Sequence, residues 1–545
     1  MRHGHNGAWR SFYPVRGFCE DVLQGAALLY GRRKMKYIVS AQEMKACDRN
    51  TTDKIGMPSL VLMERAAYGV FEEIMKGPVP RRTLVAAGVG NNGGDGLAAG
   101  RLLALKGFRV DFFMAGNPLR ASEETKVQMK ILRNLGFPIQ SKLEDAEYDM
   151  VIDALFGIGL SRDIEGGYAE VIEKINRLGD AGARIISVDI PSGICADTGK
   201  IMGCSIRARE TVTFAFAKKG HFFYPGREAA GKLTVKDIGI TEKSFRQPGP
   251  GAFCYEPGEL AALLPVRNPA GNKGTFGKVL LIAGSRDMSG ACTLSGTGVL
   301  RAGAGMLKII TPDCNRGIIQ TTLPEAMLYS FQGTPDKGQV EKALEWADVL
   351  VAGPGMGQGE NALRLMEQVM ENKTLPMVID ADGLNLISAH DNLKKLLALR
   401  PPCTTILTPH PGELAHLMGA AVKTHQADRE ETARKLAEES GCIVAAKDAV
   451  TMVLRPGKRE IYMNTSGNDG MACAGSGDVL AGIIGGLLAQ GMGCFEGACL
   501  GVYLHGLAGD EASQKNGRFG MTASDIAKAL TAVMGIQEEE RRRDK

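Results

Sequence analysis

Three segments in the first half of the chain set oxygen-bearing side chains behind apolar runs. GVGNNGGDG carries Asn91, Asn92 and Asp95, VIDALFG carries Asp153, and SVDIPSG carries Asp189 and Ser192. Each apolar run reads as a strand, so each polar group falls at a strand's carboxyl end, where open α/β sheets bind ligands. Oxygens from Asn92, Asp153 and Ser192 suit a hard, weakly charged cation such as an alkali metal ion. Asn91, Asn92 and Asp95 also fall where a helix N-terminus presents free N–H groups, which suit an anion. Gly88, Gly90 and Gly93 also fit G-x-G-x-x-G, yet RVDFFMAG lacks the acid that should end the next strand of a dinucleotide fold. Asp95 has two readings, a helix cap or a wall of the crevice.

The second half carries a different chemistry. In MACAGSGDVLAG, Gly475, Ser476 and Gly477 precede Asp478 and a long apolar helix. Backbone N–H groups of such a turn, added to the helix dipole, hold a phosphoryl group in transfer. Asp478 is then either a cap or the carboxylate that takes a proton from an attacking hydroxyl.

Elements must position these groups. Both halves alternate short apolar runs, glycine turns and helical patterns, which predicts parallel sheets covered by helices. The first block offers strands at 83–88, 109–114, 149–155, 184–189 and 210–215, with helices at 97–106 and 168–177. The second offers strands at 278–283, 306–311, 348–352, 377–380, 404–408, 443–447 and 460–464. TEKSFRQPGPGAFCYEPGEL between them has three prolines, three glycines and no periodicity, and reads as a linker. The expected limits are 35–245 and 259–535 for the domains, 246–258 for the linker and 536–545 for a charged, fraying tail. MKYIVSAQEMKACD, from Met35, looks like a natural start, which leaves 1–34 as an N-terminal extension.

Composition narrows the function classes. At roughly 100–200 residues per domain, 545 residues predict two to four domains. With 65 Lys+Arg against 61 Asp+Glu, 2 Trp and 6% aromatics, the chain is not expected to bind nucleic acid or a membrane. Its 12 cysteines form no C-x-x-C pair, as expected of reduced thiols in a cytoplasmic protein. Glycine, at 70 residues, must serve turns, close helix packing or ligand contact.

NNGGDG, DALFGIGLSRD, VDIPSGICADTG and TFAFAKKGHFFYPG, in that order, resemble the NAD(P)H-hydrate epimerase domain over most of 37–240. The glycine turn before Asp478 resembles the ribokinase-like fold. Together with GSRDMSGACTLSGTGVLRAGAGM, VAGPGMGQG, VIDADGLN, TPHPGE and AAKDAVT, it resembles the ADP/ATP-dependent NAD(P)H-hydrate dehydratase domain over about 270–530. The resemblance implies an N-terminal Rossmann-like three-layer domain followed by a C-terminal ribokinase-like three-layer domain. It also implies an isomerase fused to a lyase, acting on hydrated NADH and NADPH in a homo-oligomer.

In the first domain it implies hydrate contacts at Asn91, Asn92, Gly93, Gly94, Asp95 and Asp189, and along Gly157, Ile158, Gly159, Leu160, Ser161, Arg162 and Asp163. Potassium would be held by Asn92, Asp153 and Ser192, and Asp189 is the candidate acid/base. In the second, Ala291, Gly357, His410 and Asp478 would meet the hydrate. Lys447, Asp448, Ala449, Val450, Thr451 and Gly477 would meet ADP or ATP, and Glu413 would help position magnesium on its phosphates. The chain departs from the family pattern at Asp448, where glycine is common, and at Met356, where leucine is commoner. The rival expectation is a vitamin or sugar kinase whose first block senses a nucleotide without catalysis.

Overall fold

The computed structural model describes residues 36–246, 249–256, 259–423 and 425–543. Met35 and the 1–34 extension lie outside these. The first sheet has seven parallel strands in the order Ile139–Gln140, Arg109–Met114, Arg82–Ala87, Met150–Ala154, Arg184–Val188, Glu210–Phe214 and Lys232–Lys236. Its central strands are buried on both faces because helices cover both. Val85 and Ala87 pack into one core, with the helices Ser59–Met75 and Asn91–Leu105. Leu84 and Ala86 pack into another, with Gly167–Asp180.

The second sheet has twelve strands among the described residues. Seven are parallel: Met327–Phe331, Met306–Pro312, Lys278–Ile282, Val349–Ala352, Met377–Ile379, Thr405–Leu407 and Ile443–Ala446. Val279 and Leu281 face one core and Leu280 and Ile282 the other, the period of two that a strand between helical layers requires. Met452–Leu454 and Ile461–Met463 then continue the sheet antiparallel.

The last three strands correct the expected linker. Ala252–Cys254 pairs parallel with Ile461–Met463 and antiparallel with Lys36–Val39, which in turn pairs parallel with Ala217–Lys218. Two stretches of the first block therefore complete the sheet of the second. Their short length and mixed polarity gave no period to read. The helix Ala523–Arg543 likewise runs through most of the segment expected to fray.

The apolar stretch after Asp478 forms the helix Ser476–Ala489, packed on Ser289–Arg301. A Cβ at Gly482 would meet the Ser295 carbonyl oxygen at 2.0 Å, and one at Gly298 would meet that of Val479 at 2.5 Å. These glycines let two backbones touch and so fix the end of the helix that carries Asp478. No described helix is long and apolar enough to cross a membrane.

Candidate active sites

A cavity of about 560 Å³ opens at the carboxyl ends of the first sheet. The helix there begins at Asn91 behind Gly90, so Asp95 lies in its second turn and lines the cavity rather than capping. Burial, with Asp189 and Asp48 nearby, raises Asp95 well above the ordinary carboxylate range. Asp189 behaves oppositely. Although burial opposes ionisation, the Lys218 ammonium holds its carboxyl below the usual range. Lys218 Nζ donates to Asp189 Oδ1 at 2.6 Å and to Thr213 Oγ1 at 2.8 Å, and Thr213 donates to the same Oδ1 at 2.9 Å. Asp189 adopts φ 68°, a costly left-handed backbone for a residue with a side chain. His221 holds that bend: its Nδ1 accepts from Lys218 N–H at 3.0 Å, leaving Nε2–H for the Asp189 carbonyl at 2.9 Å. Burial, then the Lys218 charge, lowers His221 to about 4, so the ring is neutral.

Asn91, Asn92, Asp95, Asp189 and the loop from Gly157 to Arg162 all line this cavity. Gly93, Gly94 and Asp163 do not. A Cβ at Gly93 would strike the Gly88 carbonyl at 1.9 Å and one at Gly94 the Met63 side chain at 2.5 Å, so these glycines serve packing; Asp163 points to solvent. Asp153 and Ser192 lie buried beneath the cavity. Asp153 accepts from Ser192 Oγ at 2.6 Å, Ser187 Oγ at 2.7 Å and Ser192 N at 3.0 Å. Asn92 keeps both amide atoms buried without a hydrogen-bond partner. Asn92 lies against Gly157, and the neighbouring Phe156 N–H donates to Ser192 Oγ at 2.9 Å. An orphaned amide oxygen, a buried carboxyl and a hydroxyl thus fall in one region, a donor set that fits a weakly charged cation. Sequence reasoning missed Lys218, Thr213 and Asp48. Lys218 stands in the AKKGH run, and only the fold shows that of the two lysines there it is the fully buried one.

The second site gathers around Asp478, in the first turn of its helix behind Gly475 at φ 88°. Burial, then the charge of Asp380, raises Asp478 to about 6. Lys447 Nζ donates to Asp380 Oδ1 at 2.5 Å and stands 3.9 Å from Glu413. A Cβ at Gly477 would lie 3.1 Å from that ammonium, so Lys447 faces the Gly475–Gly477 turn. Ala291 packs on the turn of Gly355, and Gly357 N–H donates to Asp382 at 2.9 Å, which brings Ala291 and Gly357 to the same mouth. His410 caps the helix Pro411–Leu417: Nδ1 accepts from Gly412 N–H at 3.0 Å, and Glu413 Oε2 accepts from His410 N–H at 2.8 Å.

That box corrects the magnesium expectation. Glu413 is buried and already occupied, and burial raises it to about 7. With Lys447 beside it, Glu413 does not fit the part of a metal ligand. Val450 is also buried in the core, so only its backbone is open to a nucleotide. Asp380, missed in the sequence, ends a strand in VIDADGLN just as Asp153 and Asp189 end theirs.

A family described as NAD(P)H-hydrate dehydratase matches residues 279–532, and one described as YjeF-related protein N-terminus matches 59–220. The bifunctional NAD(P)H-hydrate repair enzyme of Moorella thermoacetica is 37% identical over 525 residues, covering 92% of this chain and 98% of its own. The chain belongs to that bifunctional repair-enzyme family. The Escherichia coli member is 33% identical, over 92% of this chain and 95% of its own. A ribokinase-like superfamily protein from Enterococcus faecalis covers 54% of this chain and 98% of its own, with 29% identity and TM-score 0.47. The two family matches meet the two sites described above, one in each half.

Proposed function

We propose that the chain repairs hydrated NADH and NADPH, epimerising the R and S hydrates at the first site and dehydrating the S form at the second with ADP or ATP. The single observation that carries the second reaction is the pairing of Asp478 with the Gly475–Gly477 turn, faced by Lys447. In the hydrate a hydroxyl sits on the carbon beside the ring nitrogen. Asp478 takes the hydroxyl proton while the oxygen attacks the terminal phosphoryl group, whose charge the turn and Lys447 offset. The nitrogen lone pair then expels phosphate, a ring proton leaves, and the double bond of NAD(P)H returns. Any magnesium enters on the nucleotide phosphates.

At the first site, the opposite shifts of Asp95, raised, and Asp189, lowered, support acid/base work. The acid protonates the departing hydroxyl, the nitrogen lone pair holds the iminium, and water returns to the other face, giving its proton to Asp189. Asn92, Asp153 and Ser192 would hold potassium, which supplies fixed positive charge beside the buried Asp153 carboxylate. Two domains near 35–245 and 259–535, joined by a segment that itself carries the strand Ala252–Cys254 of the second sheet, a homo-oligomer and a cytoplasmic setting belong to the same proposal.

The test supplies mixed hydrate with ATP or with ADP and follows recovery of reduced-nicotinamide absorbance. Full recovery from both epimers, with free phosphate released, is expected. A stable phosphorylated product without reduced cofactor would instead establish the rival kinase.

A further inference from the structure

The loop from Lys447 to Thr451 leaves the carboxyl end of the strand Ile443–Ala446 beside the turn of Asp478. It is a poor place for a bare carboxylate, because a nucleotide brings several negative charges to such a strand end. Asp448 nevertheless stands there, its Oδ1 accepting from Ala449 N–H at 2.7 Å. Its Oδ2 is paired with Nη1 of Arg429, and both side chains are largely covered.

Arg429 is held from several sides. Its Nε donates to the Lys423 carbonyl at 2.7 Å. Its neighbours on the helix Gln426–Ser440 reach into the other half of the chain, Asp428 to Lys200 at 3.2 Å and Glu430 to Lys219 at 2.9 Å. Lys219 in turn follows Lys218, which holds Asp189. Consecutive acidic, basic and acidic side chains thus anchor one helix to the first block and spend its guanidinium on the loop of the second.

We propose that Arg429 is a positioning residue for the nucleotide: by masking the Asp448 carboxylate and fixing its direction, it lets an anionic phosphate chain approach the loop. The inference rests on the nucleotide reading of Lys447–Thr451. A guanidinium suits the task, since it stays charged and meets a carboxylate in a fixed geometry.

The experiment uses the full chain and measures dehydration of S hydrate against ATP and ADP concentration. Arg429→Gln is expected to raise the nucleotide KM about tenfold, with kcat within twofold. Adding Asp448→Gly to that variant should return KM to within threefold of the parent, which a merely structural loss would not do. Arg429→Lys keeps the charge and should hold KM within threefold, guarding against a Gln variant that folds poorly. An unchanged KM in Arg429→Gln, or no rescue by Asp448→Gly, overturns the proposal. If the parent itself recovers no reduced cofactor with either nucleotide, the functional reading fails instead.

Discussion

The two sites solve opposite electrostatic problems with the same parts. At the first, a buried lysine grips the Asp189 carboxyl and holds it below the usual range, while burial and neighbouring carboxylates push Asp95 well above it. At the second, Lys447 spends its contact on Asp380, and Asp478 is left to burial and to a neighbouring negative charge, which raise it to about 6. A lysine that binds the base depresses it, whereas a lysine bound to its neighbour leaves the base poised near neutrality. The difference fits the tasks proposed for them, one a reversible exchange of water and the other a proton removal timed to phosphoryl transfer.

The largest effect that sharpens this contrast is Asp478→Asn. Loss of the base should cut dehydration by about 10³-fold, with epimerisation, read by chromatographic separation of the two hydrates, within twofold. A parallel fall in both would merge the sites. Next is Lys218→Met. It strands the Asp189 carboxylate in a buried site and should destabilise the protein by about 3 kcal/mol, on the scale of a broken buried pair, as read by denaturant unfolding. In the folded fraction epimerisation should fall, while dehydration of pure S hydrate should hold.

A smaller effect separates the pH profiles. With Asp478 as the proposed base, dehydration kcat/KM should rise with pH through about 6 and level above it. Asp189 is held below the ordinary aspartate value, so its acid limb should fall below that of dehydration. Coincident limbs would break the comparison. The smallest effect is at the seam. Glu43 pairs with Arg459 and accepts from Gly251 N–H at 2.9 Å, joining helix Ala41–Asn50 to the second sheet. Glu43→Gln should cost about 1 kcal/mol, seen as a lower denaturant midpoint with both activities kept.

The long apolar strands and the acids behind them were legible because a strand buried on both faces is a continuous run that ends at a polar turn. Arg109–Met114 falls where the sequence predicts it, and most other parallel strands lie within a residue or two. The strands at 36–39, 217–218 and 252–254 were not legible, because two to four residues carry no period and their pairing partners lie far away in the chain. Residue roles followed the same division. Asp189 and Asp478 stand beside turns, which local sequence displays. Lys218 and Asp380 act through partners 29 and 67 positions away, which only the fold brings near.

The shared sheet has a consequence for anyone who would divide the protein. A cut at residue 245 would send Lys36–Val39 and Ala217–Lys218 away with one fragment and leave Ala252–Cys254 on the other as a naked border, open to sticking to its own copies. The first fragment would keep the pairing of Val39 with Lys218 but lose the antiparallel ladder that ties Lys36–Val39 to Ala252–Cys254, one strand away from the lysine that holds Asp189. Severing the chain there would thus weaken the footing of a cavity that no described residue of 246–258 lines.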